Sequence, residues 1–160
     1  MANISAQGFG GVRLGATDGT TASFATLTRI TATNGSEWIY VQANGAISSG
    51  DLVAITTSGT GTRATNALAA TGSELAFAQF AFADTEYGWV AINGNPLTVA
   101  VSATSTLQAV LYVATTSGKI STTSASGTLA GIALLTASTT ATSGTNLAVV
   151  TWPRCVGTGN

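Results

Sequence analysis

Histidine is missing altogether from this chain of 160 residues, and ionisable side chains fill only 7% of it. The first absence rules out nucleophile–histidine relays. It also rules out the usual zinc ligand sets, since a single cysteine is the one soft ligand left. That residue, Cys155, makes an intrachain disulfide impossible and, with no histidine to activate it, reads as incidental. The five basic and six acidic side chains are scattered, so no cluster forms a footprint for phosphates and direct nucleic-acid binding is not expected. Long hydrophobic runs are absent too. The longest near-apolar stretch, Leu75 to Ala83, contains Gln79 and falls far short of the roughly 20 residues a bilayer crossing requires. Met1 to Ser5 has neither a basic nor an apolar leader region, so the expectation is a soluble protein without a signal peptide.

What remains is Thr, Ser, Gly and Ala punctuating short apolar runs. Hydrophobic residues reach 45% and mean hydropathy is +0.39, enough for a core. Ordinary soluble domains are about a quarter charged. A surface so poor in ions suits a protein largely covered by something else, and assembly is a better expectation than chemistry.

The hydrophobic period is two almost everywhere. Glu37–Gln42 is rich in aromatic and β-branched residues and ends at Asn44-Gly45. Leu52–Thr56, Tyr87–Ile92, Leu97–Val101, Leu107–Val113, Leu129–Leu135 and Leu147–Trp152 read as further strands. Asn93-Gly94-Asn95-Pro96 predicts a hairpin between two of them, with Pro96 at the turn or first strand position. Leu75, Phe77, Phe80 and Phe82 change face at Ala78-Gln79, which suggests a bulge. A short helical turn over Ala64–Ala70 is the alternative to strand there. Leu52–Gly59 echoes Leu111–Gly118, each a strand followed by Thr-Thr-Ser-Gly, either two related hairpins or a product of biased composition. The expected fold is all-β: a single antiparallel β-sandwich or barrel over residues 37–160, with an extended N-terminal arm over 1–36. The arm is either a frayed terminus or a segment that orders on a neighbouring subunit, with Phe9, Val12, Leu14 and Phe24 as anchors. Trp38 and Tyr40 are added as interface candidates.

Few residues suggest catalysis. Asp84 and Glu86 at i and i+2 fall on one face of an extended strand, an arrangement open in principle to a glycosidase or an oxygen-ligand calcium site, yet neighbours at a strand entrance are usually just solvated. Trp38, Tyr40, Tyr87, Trp89 and Trp152 invite a sugar-stacking platform, though strand aromatics more often form core or interface. Thr26/Thr28, Thr31/Thr33 and Thr60/Thr62 lack the fixed repeat of an ice-binding array. No phosphate-cradling Gly-x-x-x-x-Gly-Lys-Ser/Thr motif occurs.

With the strands placed, Val41–Val53 with its Gly50-Asp51-Leu52 strand start, Glu86–Val90, Leu111–Val113 leading to Gly118-Lys119-Ile120, and Leu129–Leu135 carry a resemblance. In style and order, over about residues 38–152, the chain resembles the decoration, or cement, proteins of tailed-bacteriophage capsids. The resemblance implies a virion structural protein on the capsid surface, made in the host cytoplasm. It implies a homotrimer that binds and bridges major capsid protein subunits, without cofactor, metal or catalytic residues. A carbohydrate-binding module of a phage fibre or adhesin is the alternative.

Overall fold

Runs rich in β-branched and aromatic residues become strands, and the Ser/Thr/Gly stretches between them become turns, in the computed structural model of the chain. The structure describes residues 12–102, 105–123, 127–137 and 144–157. The strands are β1 (Arg29–Thr31), β2 (Glu37–Ala43), β3 (Leu52–Ile55), β4 (Thr60–Arg63), β5 (Glu74–Phe77), β6 (Tyr87–Val101), β7 (Leu111–Val113), β8 (Ile120–Ser121), β9 (Thr128–Leu134) and β10 (Gly144–Gly157). One helix, α1 (Asn66–Ala70), follows β4, and the Thr65 side chain caps it by accepting from Leu68 N–H. The fold is all-β, as expected.

Five strands close on one another. β2 pairs with β4 on one edge and β6 on the other, and the circuit β2–β4–β3–β5–β6–β2 forms a barrel, with the remaining strands outside it. Closure removes the unpaired strand edges that invite aggregation. A second circuit shares β6 and runs β6–β8–β7–β9–β10–β6. The two match strand for strand. Each contains one parallel contact, β2 with β4 and β6 with β8, while every other pairing is antiparallel. The sequence echo lies on this repeat, because Leu52–Gly59 spans β3 and its turn and Leu111–Gly118 spans β7 and its turn. Gly59 and Gly118 end the two turns at nearly the same φ, +80° and +78°.

Two separate cores follow from this topology. One contains Ile39, Val41, Val53, Ile55, Val90 and Ile92 from the barrel strands, with Ile47 and Phe82 from the connecting loops. Apart from the shared β6 it draws on no strand of the second circuit, as the lumen of a small barrel requires. The other joins the outside of the barrel (Trp38, Tyr40, Leu52, Phe77, Trp89) to the buried side of the second circuit (Val99, Val101, Leu111, Ile120, Ala148). Each such aliphatic side chain contributes about 1.5–3 kcal/mol on burial.

Two local expectations are corrected. No hairpin forms at Asn93–Pro96: β6 runs through it, and its halves pair with β2 and with β10 rather than with each other. Asn-Gly permits a tight turn without forcing one, and two long partners satisfy more backbone than a short hairpin would. Pro96 falls where the β10 register skips from Ala148↔Leu97 to Val150↔Gly94, so no ladder bond is asked of it. The bulge expected at Ala78-Gln79 has no strand to sit in, because β5, whose register with β3 is unbroken, ends at Phe77. The change of face is real, but its cause is a sheet buried on both sides: Leu75 and Phe77 face one core, Ala76 and Ala78 the other. Beyond the strand, the Gln79 side chain acts as a short strand of its own. Its Oε1 accepts from Thr98 N–H at 2.9 Å and its Nε2 donates to Thr98 O at 3.0 Å.

Candidate interaction surface

Of the six interface candidates, five come together around the outside of the barrel, and Phe9 lies outside the described residues. Tyr40, from β2, is the hub. Its hydroxyl donates to Asp18 Oδ2 at 2.6 Å and accepts from Ser23 N–H at 3.0 Å. The Phe24 ring meets Tyr40 and Trp89 edge-on at 5.4 and 5.3 Å, and Tyr87 stacks on Tyr40 at 6.1 Å. Burial, and then the bond to Asp18, push the Tyr40 phenol up from 10.0 to about 12. Trp38 Nε1 donates to Ser36 Oγ at 2.8 Å, whereas the buried Trp89 Nε1 has no partner among the described residues.

The described part of the arm is therefore laid along its own barrel. Val12 and Leu14 belong to the core, and Phe24 packs against it. Asp18 N–H donates to Tyr87 O, Tyr87 N–H to Gly19 O and Leu27 N–H to Tyr40 O, and β1 pairs with β2 at Arg29↔Ile39. Trp38 and Tyr40 have no accessible surface. Val12, Leu14, Phe24, Trp38 and Tyr40, expected as interface residues, pack against one another within this chain. Alternation alone could not reveal this, since both faces of β2 are apolar. The aromatic platform dissolves for the same reason, with Trp38 and Trp89 sealed and only Trp152 well exposed, at 52%.

An ion pair that sequence reading missed lies where the two circuits meet. Asp51 is 2% exposed and accepts from Ser48 N–H at 2.8 Å, and Arg63 Nε lies 3.0 Å from its Oδ2. The Nε–H does not point along a hydrogen bond, so the attraction is coulombic. Arg63 Nη2 instead donates to Ser117 O at 2.8 Å, while Leu52 N–H donates to Gly118 O. Burial raises the Asp51 carboxyl above its usual value, against the opposing pull of Ser48 N–H, Arg63 and Lys119. The group lines a polar cleft of about 280 Å³ with Ser49, Lys119 and Thr145. A carboxylate held between two cations is arranged for docking two structural units. The signal in the sequence was Asp51 at a strand start, with no hint of Arg63 as its partner.

Asp84 and Glu86 do not cooperate across a substrate. Asp84 Oδ1 accepts from Gly45 N–H at 2.6 Å, tying the loop after β2, and Glu86 Oε2 accepts from Ala83 N–H at 2.8 Å within its own turn. The other carboxylates are held within the chain as well: Glu74 by Arg29 at 2.8 Å, Glu37 by Asn93 Nδ2 at 3.3 Å and Asp18 by Tyr40. All six acidic side chains thus have a partner in their own fold. The surface left over is poor in charge and rich in Thr and Ser, and carries exposed Leu, Val and Trp side chains. Chemically, such a surface offers burial and backbone hydrogen bonding. No protein-family model matches the chain, and no curated protein matches it.

Proposed function

We propose that this chain is a virion structural protein, a capsid decoration or cement protein that binds major capsid protein subunits, bridges them and stabilises the shell. The observation that carries this reading is the self-contained charge. Charged side chains are few, two of the six carboxylates face a cation and the other four accept hydrogen bonds inside the fold, so a partner covering the surface meets little of the charge whose desolvation opposes binding. Closed circuits of strands leave few edges to polymerise in solution. Copies associated as a homotrimer would hold a symmetric lattice through several modest contacts at once, gaining avidity from effective concentration.

The test is addition of the purified chain to phage capsids that lack it. Saturable uptake at a fixed ratio to the shell subunit, with a rise in the temperature at which the shell releases DNA, is expected. Absence of saturable uptake refutes the reading. Tryptophan emission that responds to saccharides, with no capsid uptake, would replace it by a sugar-binding module.

A further inference from the structure

The outer face of the second circuit is mostly open where its counterpart is roofed. The two are aligned by register. Ala43, Gly61 and Ile55 stand side by side across β2, β4 and β3, as Val101, Ile120 and Val113 do across β6, β8 and β7. Inward positions of one circuit therefore match inward positions of the other, and outward match outward. In the first circuit the outward side chains Trp38, Tyr40 and Trp89 are covered by Val12, Leu14 and Phe24. In the second, the loop before β3 covers Ala100 and Thr145, where Ala100 N–H donates to Gly50 O, and the outer side of β7, β9 and the rest of β10 carries exposed and half-exposed side chains. Of the seven exposed large hydrophobic side chains, five lie there: Val110, Leu135, Leu147, Trp152 and Val156.

These five share one sheet surface. Leu111 pairs with Leu129 and Cys155 with Leu129, all turned toward the core, and their neighbours Val110, just before β7, and Val156, on β10, are exposed. Leu135 N–H donates to Leu147 O, placing those two side by side. Trp152 sits where the β9–β10 register breaks between Val150 and Arg154. Its φ is +45°, a conformation costly for a bulky residue. Opposite, Gly131 has φ +80°, and a Cβ there would lie 2.4 Å from Thr151 O. The break turns the indole out while Pro153 stays buried, which is how bulges re-aim side chains.

Charge selects the occupant. Arg154, beside Ala130, is an exposed charge on this face; the carboxylate at the start of β10, Asp51 in the cleft beside Thr145, is buried and already faces Arg63. Two copies meeting through it would bring arginine to a surface with no free anion to receive it. The roof on the first circuit has the complementary makeup: an extended segment with spaced apolar residues and a carboxylate, Asp18, that takes the Tyr40 hydroxyl. We infer that the outer face of β7, β9 and β10 docks an extended apolar segment of the shell subunit that bears a carboxylate, with Trp152 as anchor and Arg154 as its ion-pair partner. This rests on the decoration reading above.

The experiment measures half-saturation of depleted capsids by the intact chain and by three variants, Trp152→Gly, Arg154→Glu and Leu147→Lys. Glycine suits the left-handed backbone at 152, so the ring is removed without backbone strain. Thr33→Arg, in the exposed turn between β1 and β2, is the control. Loss of the anchor is expected to weaken binding about 30-fold, and charge reversal at least about 10-fold, with the control unchanged. Capsid uptake by the intact chain that none of the three variants weakens overturns the docking face but leaves the decoration reading standing. No uptake by the intact chain sinks both. A variant that binds capsids normally yet falls apart to smaller oligomers in sedimentation makes the face a contact between copies and overturns the proposal. Unchanged circular dichroism spectra establish that each variant is folded.

Discussion

Gly131→Ala probes the joint that presents Trp152. Its φ of +80° lies in the left-handed region, where a side chain costs about 1–2 kcal/mol. The added methyl would sit 2.4 Å from Thr151 O and 3.0 Å from Trp152 O, both backbone atoms of the neighbouring strand. Neither can swing aside as a flexible side chain would, so β9 and β10 must part by several tenths of an ångström or more. Overpacking of that kind costs about 1–3 kcal/mol. Alanine also narrows the unfolded ensemble, which returns roughly 0.4–1 kcal/mol. The net is about 1–4.6 kcal/mol, centred near 3, or a fall in Tm of roughly 6–12 °C for the central value at about 2–4 °C per kcal/mol for a chain of this size. Thermal unfolding followed by circular dichroism reads it directly. Gly15→Ala, where nothing stands within 4 Å of the new methyl, is the matched comparison. A Tm for Gly131→Ala within 2 °C of that of Gly15→Ala would mean that the strands are not held at this distance.

Tyr40→Phe deletes the hydroxyl that joins Asp18 and Ser23 to the barrel and should cost about 1–2 kcal/mol in denaturant unfolding. The intact protein binds the phenolic proton more tightly folded than unfolded, so its stability should fall as pH rises from 10.0 toward about 12; Tyr40→Phe should lose that slope, and a persisting slope would assign it elsewhere. The buried Asp51 carboxyl is raised, so the folded state holds this proton more tightly as well. The stability it contributes is therefore complete below its unfolded value of 3.8 and declines as pH climbs through the raised folded value. In Asp51→Asn, urea midpoints measured from pH 3 upward should lack that decline, and an unchanged profile would show that Asp51 does not titrate as its burial implies.

Strand chemistry was legible in most runs where apolar residues alternate beside turn residues, though of Leu107–Val113 only Leu111–Val113 is strand. Glu37–Gln42, Leu52–Thr56 and Leu129–Leu135 lie on β2, β3 and β9 within a residue or two. Thr60–Arg63 was not legible as a strand, because Thr-Gly-Thr-Arg has no apolar face. It pairs because Gly61 fits against Val41 and Val53 in the lumen, where a Cβ would already be within 3.2 Å of each. The Tyr40 cluster and the Asp51–Arg63 pair were hidden for a related reason: their members are 22 and 12 residues apart in sequence, and only closure of the strands brings them together. The Leu52–Gly59 echo was visible, but its meaning as a repeated circuit needed the pairings.

Composition by itself determined that this chain is all-β and poor in ions, because those properties depend on which residues are present and how they alternate. Which apolar residues are core and which meet solvent was decided by the tertiary structure. Alternation separates the two faces of a strand, but only the closing of a sheet, and what is laid over it, determines which face stays wet. Trp38 and Trp152 are the same residue type on the same kind of strand. One lies under the arm, and the other is turned out by a break in register.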